Sequence, residues 1–162
     1  MSTIRIRKYR PEDRDAVIEL VRELQIAEAK VYDRMKPPEA IGDWYIDGLL
    51  DNCAKQKGQI FLADQAGMPV GYAAVMAEVP SEDISPDEIP YLYAFIMDLL
   101  VSEHLRGQGI GRLLLEKCEA YARSYDAKWL RIGVLVNNEA AVRAYKGAGF
   151  APLTMELEKP LR

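Results

Sequence analysis

The stretch "RGQGIG" (106–111) places three glycines within five residues, Gly107 to Gly111, of a chain that holds only 11. An apolar run, "FIMDLLV" (95–101), stands just before it, and a helical pattern, "GRLLLEKCEAYARSYDA" (111–127), begins on its last glycine. A helix's first amides have no acceptor within the helix and point out of its N-terminus. Glycines let an anionic group come close to such amides and permit dihedrals that other residues avoid. Arg106 and Arg112 add local positive charge to a chain of net charge −4. The junction is therefore either a bare tight turn or a phosphate site, and the loop alone does not separate the two. Neither of two familiar phosphate loops fits. No Lys-Ser or Lys-Thr follows, as a P-loop requires. The glycines are spaced GxGxG rather than GxGxxG, and Asp126 precedes the next apolar run instead of following it, against the dinucleotide fingerprint.

A chain of 162 residues, 49% apolar and 28% charged, is expected to fold as one domain with a substantial core. The acidic balance argues against general nucleic-acid binding. The opening "MSTIRIRKYRPEDRD" lacks the apolar stretch of a signal peptide, and no run reaches membrane-spanning length. Cys53 and Cys118 have no CxxC spacing and form neither a disulfide framework nor a zinc site. These features set the expectation of a cytoplasmic protein with no metal, membrane or nucleic-acid partner.

Alternation in "TIRIRKY" predicts a first strand. Pro11, Glu12 and Asp13 open a helix reaching about residue 33, which "MKPPE" ends, and a second helix covers 39–55. "QIFLADQAGMPVGYAAVMAEV" reads as a hairpin turning at "DQAGMP". A polar loop, "PSEDISPDEIP", leads into a long strand, "YLYAFIMDLLV". After the glycine loop and its helix come a buried strand, "KWLRIGVLV" (128–136), a short helix in "NNEAAVRAYKGAG", and a last strand in "APLTMELEKPL". The predicted order is β α α β β β α β α β, a mixed α/β domain.

"RGQGIG" fits the [QR]xxGx[GA] loop of the GCN5-related N-acetyltransferases, at Arg106, Gly109 and Gly111. "NEAAVRAYKGAGF" resembles that family's second motif, with Asn138, Ala141, Tyr145 and Gly149-Phe150. The two lie at the family's separation, and the resemblance extends over essentially the whole chain. It implies a mixed, mainly antiparallel sheet with a splayed parallel strand pair, flanked by helices. The loop, from Arg106 through Gly107, Gln108, Gly109, Ile110 and Gly111 to Arg112, is implied to hold the pyrophosphate of acetyl-CoA. Main-chain groups of Leu99, Leu100 and Val101 are implied to pair with the pantetheine arm, with Asn138 near it and Tyr145 beside the sulfur. The implied acceptor is a primary amine: a small amine or polyamine, an aminoglycoside-like compound, an amino acid or a protein terminus. Many members of this short architecture pair through the C-terminal region, which implies a homodimer.

Acetyl transfer requires an amine that has lost its proton, a donor to the thioester oxygen and a donor to the leaving thiolate. Tyr145 is the implied thiolate donor. With a thiol at about 8.5 and a tyrosine at about 10, full proton transfer runs uphill by about 2 kcal/mol, so hydrogen-bond donation is the easier role. Several family members carry Glu-Asp in the middle of the splayed strand, the glutamate acting as base through water. Here the pair is Met97-Asp98, and Met97 takes no proton. Strict strand alternation turns Asp98 to the opposite face, where a structural hydrogen bond is expected. Glu78 and Tyr93 remain as bases acting through water. Trp44, Tyr45 and Tyr32 lie where the family covers the acceptor, either shaping the pocket or packing. The acidic loop that follows Glu78 reads as solvated, or else as a field for a cationic acceptor. Cys118 falls on a core face, and His104 reads as a loop residue. The alternative reading is a non-catalytic acyl-CoA sensor; a third is a nucleotide-binding protein unrelated to CoA.

Overall fold

A two-residue turn at Ala66 and Gly67, both at positive φ (54° and 89°), closes the hairpin around which the sheet is built. It joins β2 (Gln59–Gln65) to β3 (Met68–Pro80). The computed structural model, which describes residues 3–83 and 86–161, adds β1 (Ile4–Lys8), β4 (Leu92–Val101) and β5 (Leu130–Ile132). The strands lie in the order β1-β2-β3-β4-β5, antiparallel except for the parallel β4–β5 pair. The expected mixed, mainly antiparallel sheet is thus present.

Helices cover both faces. A 3-10 turn at Pro11–Asp13 leads into α1 (Arg14–Ala29), and another at Pro38–Ala40 precedes α2 (Asp43–Lys55). Val17, Leu20 and Val21 of α1 and Ile46 and Leu49 of α2 pack on Ile60, Leu62, Tyr72, Ala74 and Leu100. On the opposite face, α3 (Ile110–Arg123) buries Leu114, Leu115 and Cys118 against Phe61, Ala73, Val75 and Ile96. A short helix, α4 (Glu139–Gly147), follows β5. At the β1 end, Arg7 donates to both carboxylate oxygens of buried Asp13 at 2.7 and 2.8 Å and to Asp64 at 2.8 Å, tying β1, the first turn and β2 together. The Arg7 guanidinium holds the Asp13 carboxyl below the usual range, against the opposing effect of burial.

A bulge in β4 decides which way its side chains point. Ala74 pairs with Asp98 and Val75 with Ile96, so Met97 has no partner on β3. The extra residue resets the alternation. Ile96 and Leu99 join the α3 face, whereas Met97 and Leu100 pack on the α1/α2 face. Asp98 also faces that side, where the hydroxyls of Tyr45 and Tyr72 reach it. The expectation that Asp98 points away from the face of Met97 is overturned, because strict alternation holds only for an unbulged strand.

Two other expectations change. The strand expected over 128–136 shrinks to Leu130–Ile132, paired with Ala94–Ile96. Residues 151–161, expected as a strand, have no regular structure and are exposed. Leu153, Met155 and Leu157 alternate in the sequence, but 151–161 pair with no strand among the described residues and the three side chains stay exposed. Residues 84 and 85 of the acidic loop lie outside the described residues. Among the described residues no helix is long and apolar enough to cross a membrane, and no His/Cys/Asp/Glu group is arranged to hold a metal.

Candidate active site

β4 runs out of the sheet and, through a 3-10 turn at Glu103–Leu105, into the glycine loop. Gly107 and Gly109 adopt left-handed φ of 77° and 82°, and Gly109 is the N-cap of α3. A Cβ built at either position would meet nothing within 4 Å, so the loop's outer side is open. Gly107, Gln108 and Gly109 are exposed, while Ile110 is buried and anchors the helix. Gly111 differs: its Cβ would make ordinary contact with Val101 and Leu99, at 3.7 and 3.9 Å. It faces the strand rather than the open side. The arrangement joins unpaired helix amides, positive dipole and bare backbone, which suits a phosphate. The Arg106 Nε donates to the Val101 carbonyl at 2.8 Å, bracing the loop, and Arg112 pairs with Glu116 at 2.9 Å on the helix surface.

The edge of β4 toward β5 has no strand partner beyond Ile96 among the described residues, because β5 pairs only with 94–96. The Ser102 N–H donates to the Val70 carbonyl at 2.9 Å, which fixes the phase of the β3–β4 ladder. By antiparallel alternation the main-chain groups of Leu100 face β3, and those of Leu99 and Val101 face the uncovered edge. The Val101 carbonyl on that edge is already taken by Arg106. Of the three residues expected to pair with a ligand arm, two therefore present main-chain groups to the opening.

The second motif lies on and after α4, from which Tyr145 and Phe150 pack on the α3-side core. Asn138 caps the helix, its Oδ1 accepting from the Ala141 N–H at 3.2 Å. Tyr145 packs on the α3-side core, with its ring 6.1 Å from that of Phe150. Among the described residues no hydrogen bond holds its hydroxyl. Burial pushes that hydroxyl up to about 12, and the negative charges of Glu28 and Asp98 push in the same direction. The Tyr145 hydroxyl is therefore protonated at neutral pH, and full proton loss to a thiolate is costlier than for an ordinary tyrosine; donation of a hydrogen bond is what it offers.

Asp98 accepts from the hydroxyls of Tyr45 and fully buried Tyr72, each 3.0 Å from Oδ2. Its Oδ1 has only a longer contact of 3.2 Å, again from Tyr45. Burial raises the Asp98 pKa, and the two tyrosine bonds oppose the rise. Glu28 of α1, partly buried, is raised first by burial and then by the charge of Asp98. Sequence reasoning missed Glu28 and Tyr72, which carry no motif; Glu28 lies on the last turn of a helix with ordinary periodicity. Tyr45 was legible only as an aromatic near the acceptor region.

The other candidates lie elsewhere in the structure. Glu78 makes an ion pair with Lys57 at 2.9 Å, and it is not among the carboxylates acting on Tyr145. Tyr93 is buried, with the Arg131 guanidinium 4.1 Å from its ring centre. His104 is exposed in a 3-10 turn before the loop. Cys53 and Cys118 are both buried, their thiols pushed up by burial to about 11 and about 12. Tyr32 lies under the Arg34 guanidinium, and Trp44 is edge-on to Tyr45.

An uncharacterized N-acetyltransferase of Methanocaldococcus jannaschii is 28% identical over 150 residues, covering 93% of this chain but only 62% of that protein. A thialysine N-epsilon-acetyltransferase of Bos taurus is 28% identical, covering 95% of this chain and 88% of that protein. A Bacillus halodurans protein, solved as a mutant, superposes with a TM-score of 0.86 at 22% identity over 98% of this chain and 99% of that one. The acetyltransferase (GNAT) family matches residues 18–150, from the middle of α1 to the end of the second motif, and the chain belongs to that family.

Proposed function

We propose that this protein is an N-acetyltransferase moving an acetyl group from acetyl-CoA to a primary amine by direct, sequential transfer. The observation that carries the reading is the succession of two backbone surfaces: the β4 edge at Leu99 and Val101, left unpaired by β5, is followed after one 3-10 turn by the open glycine loop. A strand-like pantetheine arm fits the first and its pyrophosphate the second. Amides on this edge supply a donor to the thioester oxygen, and Tyr145 donates to the leaving thiolate. The buried, protonated state of both cysteines supports direct transfer without an acyl-enzyme. The acceptor class rests on the family and on the similarity to an enzyme named for a small amino-acid side-chain amine. In this reading Asn138 flanks the arm through its uncommitted amide, with its Oδ1 spent on the helix cap.

We also infer a homodimer. Leu153, Met155 and Leu157 alternate along an exposed tail, and Val134 and Val136 are exposed beyond the short β5. A second copy gives this apolar surface something to cover. Light scattering at tens of micromolar is expected to give twice the chain mass; a monomer mass at that concentration contradicts the inference.

Gly109→Val tests the loop. The side chain would enter the open space before the amides, and valine at a left-handed φ adds roughly 1–2 kcal/mol of strain. CoA affinity by calorimetry is expected to fall at least about 10-fold, with a melting temperature only a few degrees lower. Unchanged affinity in the folded variant removes the phosphate reading.

Tyr145→Phe tests the chemistry. Because no hydrogen bond among the described residues holds that hydroxyl, its loss is expected to leave melting nearly unchanged. If it donates to the sulfur, kcat falls about 100-fold or more, and the KM for acetyl-CoA shifts less, since thiolate charge develops in the transition state. Thiol release from acetyl-CoA across an amine panel measures both. A normal kcat takes Tyr145 out of the reaction.

A further inference from the structure

Ser102 and Glu103 stand between the end of β4 and the glycine loop, and they are held from outside their own segment. The Ser102 hydroxyl donates to one carboxylate oxygen of Glu23, in the middle of α1, at 3.1 Å, and the Glu103 N–H donates to the other at 2.5 Å. Ser102 is the N-cap of the 3-10 turn Glu103–Leu105, yet its side chain caps nothing within that turn. A serine in this place ordinarily accepts from the N–H groups that follow it. Here its hydroxyl is turned round to act as a donor, and a carboxylate 80 residues away does the capping. Ser102 is buried, and its own N–H is spent on the Val70 carbonyl. Downstream, the Leu105 N–H closes on the Ser102 carbonyl at 2.9 Å, and the Arg106 Nε returns to the Val101 carbonyl at 2.8 Å. An exposed pair of Lys30 with the Glu103 side chain, at 3.9 Å, adds little. Val17, Leu20 and Val21 already fasten α1 to the sheet. The Glu23 clamp adds a directional restraint at the one turn that separates the β4 edge from the glycine loop.

We propose that Glu23 is a positioning residue for acetyl-CoA: through Ser102 and Glu103 it sets the relation between the β4 edge and the glycine loop, so that the ligand's arm and its pyrophosphate engage both at once. The inference rests on the transfer reading above and deepens it by naming a residue, outside both motifs, that acts on the donor site. The chemistry asks for a carboxylate of this length. Two donors, one O–H and one N–H, are accepted by a single side chain on two separate atoms. A glutamine offers one acceptor oxygen and an NH2 group that opposes the other donor. An aspartate is one methylene shorter. Bonds to an ionised acceptor are also the stronger kind, which suits a restraint on a short turn. A ligand that touches only one of the two surfaces is indifferent to their relation, whereas one that spans them loses affinity when they no longer match. A misplacement of about 1 Å is enough to cost as much as about 100-fold in a positioned contact.

The test compares CoA, which spans both surfaces, with pantetheine, which has the arm and no pyrophosphate. Binding of each is measured by calorimetry on the whole chain, as wild type, Glu23→Gln and Ser102→Ala, with melting recorded on the same preparations. Glu23→Gln is expected to raise the CoA Kd by about 10-fold and to leave the pantetheine Kd within about two-fold. Ser102→Ala removes one of the two bonds and is expected to shift the CoA Kd in the same direction by a smaller factor. It decides the matter if Glu23→Gln fails to fold. A lowered melting temperature with both Kd values unchanged, or an equal loss for CoA and pantetheine, overturns the proposal and leaves the transfer reading standing. A CoA-selective loss in a protein that releases no thiol from acetyl-CoA across the amine panel upholds the positioning role and removes the transfer reading.

Discussion

A single unpaired residue, Met97, organises the functional half of this molecule. Up to Ile96, β4 is held on both edges, by β3 and by β5; beyond it, β3 alone remains. The bulge bends the strand at the point where the parallel pair ends and leaves the main chain at Leu99 and Val101 facing an opening. The same insertion shifts the side-chain phase and delivers Asp98 to the α1/α2 face, where the Tyr45 and Tyr72 hydroxyls donate to it. The phase of the β4 main chain beyond Ile96 and the face that Asp98 takes thus both depend on one local irregularity.

The electrostatics of the site run against the habits of the rest of the chain. Surface acids are paired within a turn of a helix, as Glu116 is with Arg112 and Glu119 with Arg123. Such pairs contribute little to stability. Asp98 and Glu28 are left without a cation among the described residues, and burial, followed by their negative charge, raises the Tyr145 hydroxyl further above an ordinary tyrosine, which is itself protonated at neutral pH. The local stability lost by this is offset by the well-packed clusters on either side of the sheet.

Much of this is legible in the sequence because periodicity and turn chemistry are local. The hairpin at Ala66-Gly67, the helix behind the glycine loop and the cap at Asn138 all arise from residues within a few positions of one another. The motifs locate the loop and Tyr145 for the same reason. The bulge is not legible, since register is fixed by the partner strand, and Met97 looks like any other apolar strand residue. Its consequence, the face of Asp98, is hidden with it. Glu28 and Tyr72 come from elements 70 and 26 residues away from Asp98 and are joined to it only by the fold. The last strand fails differently: Leu153, Met155 and Leu157 alternate correctly, but alternation is local while strand formation needs a partner, and 151–161 pair with no strand among the described residues.

The central claim is that the bulge frees the β4 edge for a strand-like ligand, and amide hydrogen exchange reads that edge directly. The amides of Leu99 and Val101 face the opening, whereas that of Leu100 is in the β3–β4 ladder. Adding saturating CoA is expected to slow exchange at Leu99 or Val101 by about 10-fold or more while Leu100, already protected, changes little. Unaltered exchange at both Leu99 and Val101 in the CoA-saturated protein would contradict the account.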